Sequence, residues 1–92
     1  VDEPAADLGI ALAVASSFRG RAVDPQTVVF GEIGLAGELR SVGHADRRIL
    51  ESHKLGFGRC VFPGRADRAR LGQGIDLVQV SRLTQALQVT LE

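Results

Sequence analysis

The chain has 92 residues, 45% of them apolar and 24% charged, enough for one small domain near the size at which a single core is marginal. Its formal net charge is zero, which excludes a strongly basic nucleic-acid binder, yet the halves differ: residues 1–46 carry three basic and seven acidic side chains, residues 47–92 eight basic and four acidic. The single cysteine, Cys60, excludes an internal disulfide and a cysteine-based zinc site and suits the reducing cytoplasm, and the longest apolar run, around residues 10–15, is too short to span a bilayer.

Pro4 fits the first turn of a helix, with Asp2 or Glu3 as the acidic neighbour that the helix dipole favours. The helix is expected to run over 4–19 and to stop at Gly20. Leu8, Ile10, Ala11, Leu12, Ala13, Val14, Ala15 and Phe18 leave it almost no polar face, the pattern of a helix covered on most sides. Ala5, Gly9 and Ala13, at i, i+4 spacing, allow another element to pack closely. Residues 21–26, with Asp24-Pro25, form a turn or extended link.

Residues 27–33 read as a strand, paired as a hairpin with residues 38–42 through the glycine turn at 34–37. Gly43 breaks the chain before a second helix over 44–55, which sets Ala45, Ile49 and Leu50 inward and Asp46, Arg47, Arg48 and Glu51 outward. Leu55-Gly56-Phe57 has the form of a glycine-capped helix end. Residues 59–62 form a short buried strand closed by Pro63-Gly64, and residues 66–71 a single helical turn. A strand over 75–80 follows, and Ser81 caps a last helix running to about Val89, with Leu83, Ala86 and Leu87 inward. The alternation of helices and strands is that of an α/β domain.

Chemistry-bearing residues are sparse. Ser16 and Ser17 lie three turns down the first helix and take structural roles. His44 and His53 read as surface residues of the second helix, with no nucleophile placed to use either as a base. Cys60, inside the apolar run 60–62, reads as a buried and inert thiol. Gly31, Gly34 and Gly37 imitate a phosphate-binding pattern but fall between strands, so they read as turn glycines. The one concentration of charge is Arg47, Arg48, Lys54, Arg59, Arg65, Arg68 and Arg70, which with Glu51 and Asp67 give residues 47–70 a balance of +5. Arginine forks onto phosphate oxygens, so these side chains are candidate contacts for a DNA backbone; a solvated face with intersubunit ion pairs is the alternative. No interleaved aromatics support base stacking.

Two blocks carry a resemblance. Glu3-Pro4-Ala5-Ala6-Asp7-Leu8, followed by Val28-Val29-Phe30-Gly31-Glu32-Ile33-Gly34-Leu35-Ala36-Gly37-Glu38-Leu39-Arg40, resembles the C-terminal Lon-protease-like domain of the bacterial RadA/Sms DNA repair family. The likeness covers essentially the whole chain and is strongest over 3–19, 27–42 and 55–57. It implies an α/β (α+β) fold of the ribosomal-protein-like type, a small mixed sheet with helices packed on it. It also implies further strands ahead of the first helix, so that residues 1–92 read as one Lon-like domain truncated at its N-terminus.

In Lon-type peptidases the first helix opens on Gly-Pro-Ser-Ala-Gly, whose serine is the nucleophile, and a lysine at the start of the second helix is the general base. The resemblance sets Ala5 in the serine's place and Asp46 in the lysine's, which implies that the protease dyad is absent. Lys54 is eight residues beyond Asp46, about 12 Å of helix rise away, at the wrong end to substitute.

The family further implies a non-proteolytic domain that supports hexameric rings and contacts DNA during recombination and branch migration, in a parent whose ATP, magnesium and zinc sites lie outside these residues. No small-molecule substrate and no membrane partner is expected. Arg47, Arg48, Arg59, Arg65, Arg68 and Arg70 are then the candidate DNA or subunit contacts. A Lon-type peptidase and a free-standing truncated interaction domain are the alternatives. The run Gly43-His44-Ala45-Asp46-Arg47-Arg48 and the Arg- and Gly-rich segment 64–74 depart from the family's pattern.

Overall fold

The computed structural model describes residues 3–91. Asp2, one of the two acidic residues expected ahead of the first helix, lies outside the described residues. Glu3 fills that role: its carboxylate accepts the N–H of Ala5 at 3.2 Å, opening a single 3-10 turn, Pro4–Ala6. Helix α1 (Asp7–Arg19) continues from it and ends, as expected, at Gly20, whose left-handed φ of 66° suits a residue without a Cβ.

The stretch 27–33 departs from its expected form. It is two strands, β1 (Thr27–Val29) and β2 (Glu32–Ile33), separated at Phe30-Gly31. The expected hairpin is confined to β2 and β3 (Leu39–Arg40), with Glu32 opposite Arg40 and Ile33 opposite Leu39. β1 instead pairs in parallel with β4 (Arg59–Phe62), a partner about thirty residues away in sequence. The break follows from competition for the backbone. At Phe30 the N–H still bonds to Val61 of β4, whereas the N–H of Gly31 turns away to the carbonyl of Ala5 at 2.9 Å.

The remaining elements lie close to where the pattern puts them: α2 (Ala45–Lys54), α3 (Arg68–Leu71), β5 (Asp76–Gln79) and α4 (Leu83–Leu91). Asp67 caps α3 by accepting the N–H of Ala69 at 3.0 Å. At α4 the capping works in reverse of the expected direction. The side-chain oxygen of Gln85 accepts from the N–H of Ser81 at 2.7 Å, from its hydroxyl at 3.0 Å and from the N–H of Arg82 at 3.2 Å.

The architecture is α/β. A parallel three-stranded sheet, ordered β1-β4-β5, stands beside the antiparallel β2-β3 ribbon. Register divides the core into two faces. Val28, Cys60 and Leu77 are neighbours across the sheet, as are Val29, Val61 and Val78. Because alternate residues of a strand point to opposite faces, the second row packs with Leu8, Leu12, Leu39, Val80 and Ala86 under α1 and α4. The first row packs with Phe30, Ile49, Phe62, Leu71 and Ile75 under α2 and α3. Phe30 and Phe62 stack with centroids 5.5 Å apart.

The helix expected to be covered on most sides is covered on one. Leu8 and Leu12 are fully buried, but Ile10 and Val14 are each 63% exposed and Phe18 is 92% exposed. These three recur at i, i+4, i+8, one stripe along the side of α1 away from the sheet. Gly9 of the small-residue stripe does meet the sheet: a Cβ there would lie 3.7 Å from Val29. No helix among the described residues is long and apolar enough to cross a membrane.

Candidate functional site

The two positions that the resemblance sets against the peptidase dyad, Ala5 and Asp46, are each committed to the scaffold. Ala5 is buried, and its carbonyl accepts the N–H of Gly31, whose own carbonyl accepts the N–H of Leu8 at 3.0 Å. This exchange staples the head of α1 to the point where β1 gives way to β2. Asp7 adds a second fastening, its carboxylate accepting the N–H of Ile33 at 3.2 Å. At the other position, one carboxylate oxygen of Asp46 accepts the N–H of Asp67 at 3.2 Å and the other lies 3.4 Å from the guanidinium of Arg70. Asp46 therefore ties the first turn of α2 to the segment that leads into α3.

The two residues line different clefts. Ala5 belongs to one of about 580 Å³, walled by Ala6, Val28, Val29 and Phe30 and rimmed by Glu3, His44, Arg47 and Arg48. Asp46 belongs to one of about 420 Å³, lined by His44, Ala45, Arg47, Arg65 and Arg70. His44 and Arg47 border both. A hydroxyl is activated only by a base within hydrogen-bond reach, and a methyl group in one cleft and a carboxylate engaged by Arg70 in the other offer neither partner.

The six candidate arginines separate into two groups. Arg48 donates to the carbonyl of Gly43 at 3.0 Å, lies 3.5 Å from the carboxylate of Glu3 and stands 5.9 Å over the Phe30 ring. Arg59 donates to the carbonyl of Val89 at 3.1 Å and lies 3.8 Å from Asp76, joining the sheet to the end of α4. Arg68 donates to the carbonyl of Ile75 at 2.8 Å, closing the loop between α3 and β5. All three are used internally. Arg47, Arg65 and Arg70 instead converge on the 420 Å³ cleft. Arg65 is exposed and Arg47 lies at the cleft wall, and neither meets an acceptor among the described residues, while Arg70 has only the exposed pair with Asp46. Lys54 stands apart at the far end of α2, 3.7 Å from Glu51.

The other candidates are structural. The Ser16 hydroxyl donates to the carbonyl of Arg21 at the end of α1, and Ser17 is exposed on the same helix. Cys60 is fully buried between the sheet and α2, and burial pushes its thiol up to about 12. His53 lies against Gly74, where a Cβ would come within 2.9 Å of its Nε2. Gly34 and Gly37 shape the β2-β3 turn, where the N–H of Gly37 donates to the carbonyl of Gly34 at 3.1 Å. Glu38 closes that turn: hydrogen bonds from its own N–H, from Arg40 and from the N–H of Ala36 hold its carboxyl below the usual range. Among the described residues no group of three or more His, Cys, Asp and Glu side chains is placed to hold a metal ion.

One residue at the centre of the site carried little signal in the sequence. His44, expected as a solvated helix start, is exposed but adopts a left-handed backbone with φ 62°, the one such non-glycine conformation among the described residues. Histidine is among the residues enriched there, so Gly43-His44 ahead of a helix was the available clue. This turn brings α2 in so that its first residues form the wall between the two clefts.

Comparison with known sequences agrees with this geometry. The family described as Lon protease (S16) C-terminal proteolytic domain matches residues 1–92. The DNA repair protein RadA of Halalkalibacterium halodurans is 47% identical over 92 residues, covering 99% of this chain and 20% of that protein. RadA of Synechocystis sp. is 41% identical over 91 residues, covering 99% of this chain and 18% of that protein. RadA of Bacillus subtilis is 39% identical over 92 residues, covering 99% and 20%. The chain thus spans about a fifth of the length of these curated relatives. It belongs to the Lon protease C-terminal domain family, in the Lon-like form found in DNA repair proteins of the RadA type.

Proposed function

We propose that this domain is a non-proteolytic scaffold of a RadA-type DNA repair ATPase, supporting ring assembly and touching DNA backbone while chemistry proceeds elsewhere in the protein. What supports the reading is the fate of the dyad positions. The nucleophile's place holds a buried Ala5 whose backbone is stapled to Gly31, and the base's place holds an Asp46 paired with Arg70. A peptidase needs an activated hydroxyl at the first and a proton acceptor at the second. RadA-type relatives at 39–47% identity connect the domain to DNA repair. Nucleotide, magnesium and zinc chemistry belong, on this reading, to parts of the protein beyond these residues, and the protein works in the cytoplasm.

The test uses the intact protein, expressed from its full reading frame, in a strain lacking its own RadA. The full protein is expected to restore resistance to DNA damage, and a version without residues 1–92 is expected to lose both that resistance and its ring assembly. Casein stays uncut by the pure protein. Steady casein cleavage that co-purifies with it would overturn the reading in favour of a peptidase. Full resistance without the domain would favour a dispensable, free-standing unit.

A further inference from the structure

A contact with DNA backbone needs a place as well as a basic stretch of sequence, and the structure narrows the choice. Of the arginines in residues 47–70, three are spent on carbonyls of the fold and three face one cleft of about 420 Å³. Arg47 enters from the first turn of α2, Arg65 from the loop after β4, and Arg70 from α3. Their convergence depends on Asp46, which draws the α3 segment toward α2 through the N–H of Asp67 and the side chain of Arg70.

We propose that this cleft is a phosphodiester site, in which Arg47 and Arg65 grip the backbone of a nucleic acid and Asp46 acts as an internal stand-in for phosphate on Arg70. The inference rests on the reading of the domain as a DNA-contacting scaffold and gives that contact its location. Guanidinium groups bind phosphate as planar forks, and two here are without an acceptor among the described residues. The third is held by a single exposed carboxylate contact at 3.4 Å, an interaction weak enough for an incoming phosphate to replace. Nothing aromatic but His44 lines the cleft, so the site positions the strand without reading its sequence.

Binding of the intact protein to a labelled duplex of mixed sequence, followed by anisotropy across a salt series, tests the proposal. The double variant Arg47→Ala/Arg65→Ala is expected to weaken binding on the order of tenfold at low salt, and to flatten the dependence of log K on log salt by about 1.8, two contacts at about 0.9 each. Asp46→Asn keeps an acceptor for the N–H of Asp67 while releasing Arg70, and is expected to tighten binding about threefold. Arg40→Ala, on the β2-β3 ribbon and outside the cleft, is expected to leave affinity and slope unchanged. Melting temperatures equal to that of the parent show that the variants are folded.

Wild-type affinity and slope in the double variant, while deletion of residues 1–92 still weakens binding, would overturn the cleft and leave the DNA-contact reading standing. Binding that is unaffected even by that deletion would overturn both. Weaker binding in Asp46→Asn would remove the stand-in role. Competition by inorganic phosphate as strong, per phosphate, as that of the duplex would reassign the site to a free anion.

Discussion

The N–H of Gly31 donates to the carbonyl of Ala5 at 2.9 Å, so the residue that the resemblance sets in the nucleophile's place is joined through its backbone to the point where β1 ends. That approach leaves no room at Gly31 for a side chain. A Cβ would fall 2.9 Å from Cδ and 3.1 Å from Cγ of Pro63, and 3.6 Å from Leu8. Gly31→Ala is therefore expected to destabilise the domain by about 1–3 kcal/mol through overpacking, measured as a shift of the urea midpoint. Gly43→Ala, where a Cβ meets nothing within 4 Å, is the contrasting change and is expected to be nearly neutral.

Restoring the dyad by substitution is expected to fail. Ala5→Ser/Asp46→Lys sets a serine and a lysine where the resemblance to Lon-type peptidases puts them. The new hydroxyl sits in a buried spot, and the new ammonium faces Arg70 across a lost ion pair. The expected outcome is a protein with no casein cleavage and no labelling by a fluorophosphonate probe. It should also be less stable than the parent, since Asp67 and Arg70 lose their shared acceptor. Labelling of the introduced serine above background would show that the cleft still activates a hydroxyl.

Cys60 supplies a pH dependence whose sign follows from burial. Its thiol lies at about 12 in the folded protein against an ordinary value of 9.0. The folded state thus holds a proton that the unfolded state gives up. Stability is complete below about pH 9 and falls as pH rises from there toward 12. Urea unfolding at about pH 8 and about pH 11 reads the difference, and Cys60→Ala is expected to flatten it. The same burial predicts that a thiol reagent labels Cys60 only after denaturant is added.

The two sides of α1 are expected to respond in opposite ways. Leu12→Ala empties a fully buried position against Val61 and Ala86 and is expected to cost about 2–5 kcal/mol. Phe18→Ser, at 92% exposure, is expected to change stability by less than about 0.5 kcal/mol. With Ile10 and Val14, Phe18 forms an uncovered apolar stripe, so the serine variant is expected to reduce self-association in sedimentation. Equal association in both proteins would show that the stripe is not the sticky face.

Much of the fold was readable because its signals are local. Gly20 after an apolar run and Gly56 after α2 mark ends that the structure keeps. The pairing of Glu3-Pro4-Ala5-Ala6-Asp7 with the later glycine-rich block carries the resemblance to the family. The strand over 27–33 misled because β-forming residues run on either side of Gly31, from Val28 to Ile33. Its division depends on a backbone bond from Gly31 to Ala5, a residue 26 positions earlier, which no local pattern contains.

The arginines show the same limit at the site. Composition identified a basic segment and the amino-acid types suited to phosphate. It could not separate Arg48, Arg59 and Arg68, which satisfy carbonyls of Gly43, Val89 and Ile75, from Arg47 and Arg65, which face the open cleft. Residue type and near spacing were enough for the helices, for several of their ends and for the burial of Cys60. Packing alone set the pairing of β1 with β4, the bare side of α1, and the arginines that meet across a cleft. Those outcomes depend on which distant backbone groups and volumes come into contact, and a linear order of residues does not contain that information until the chain is packed.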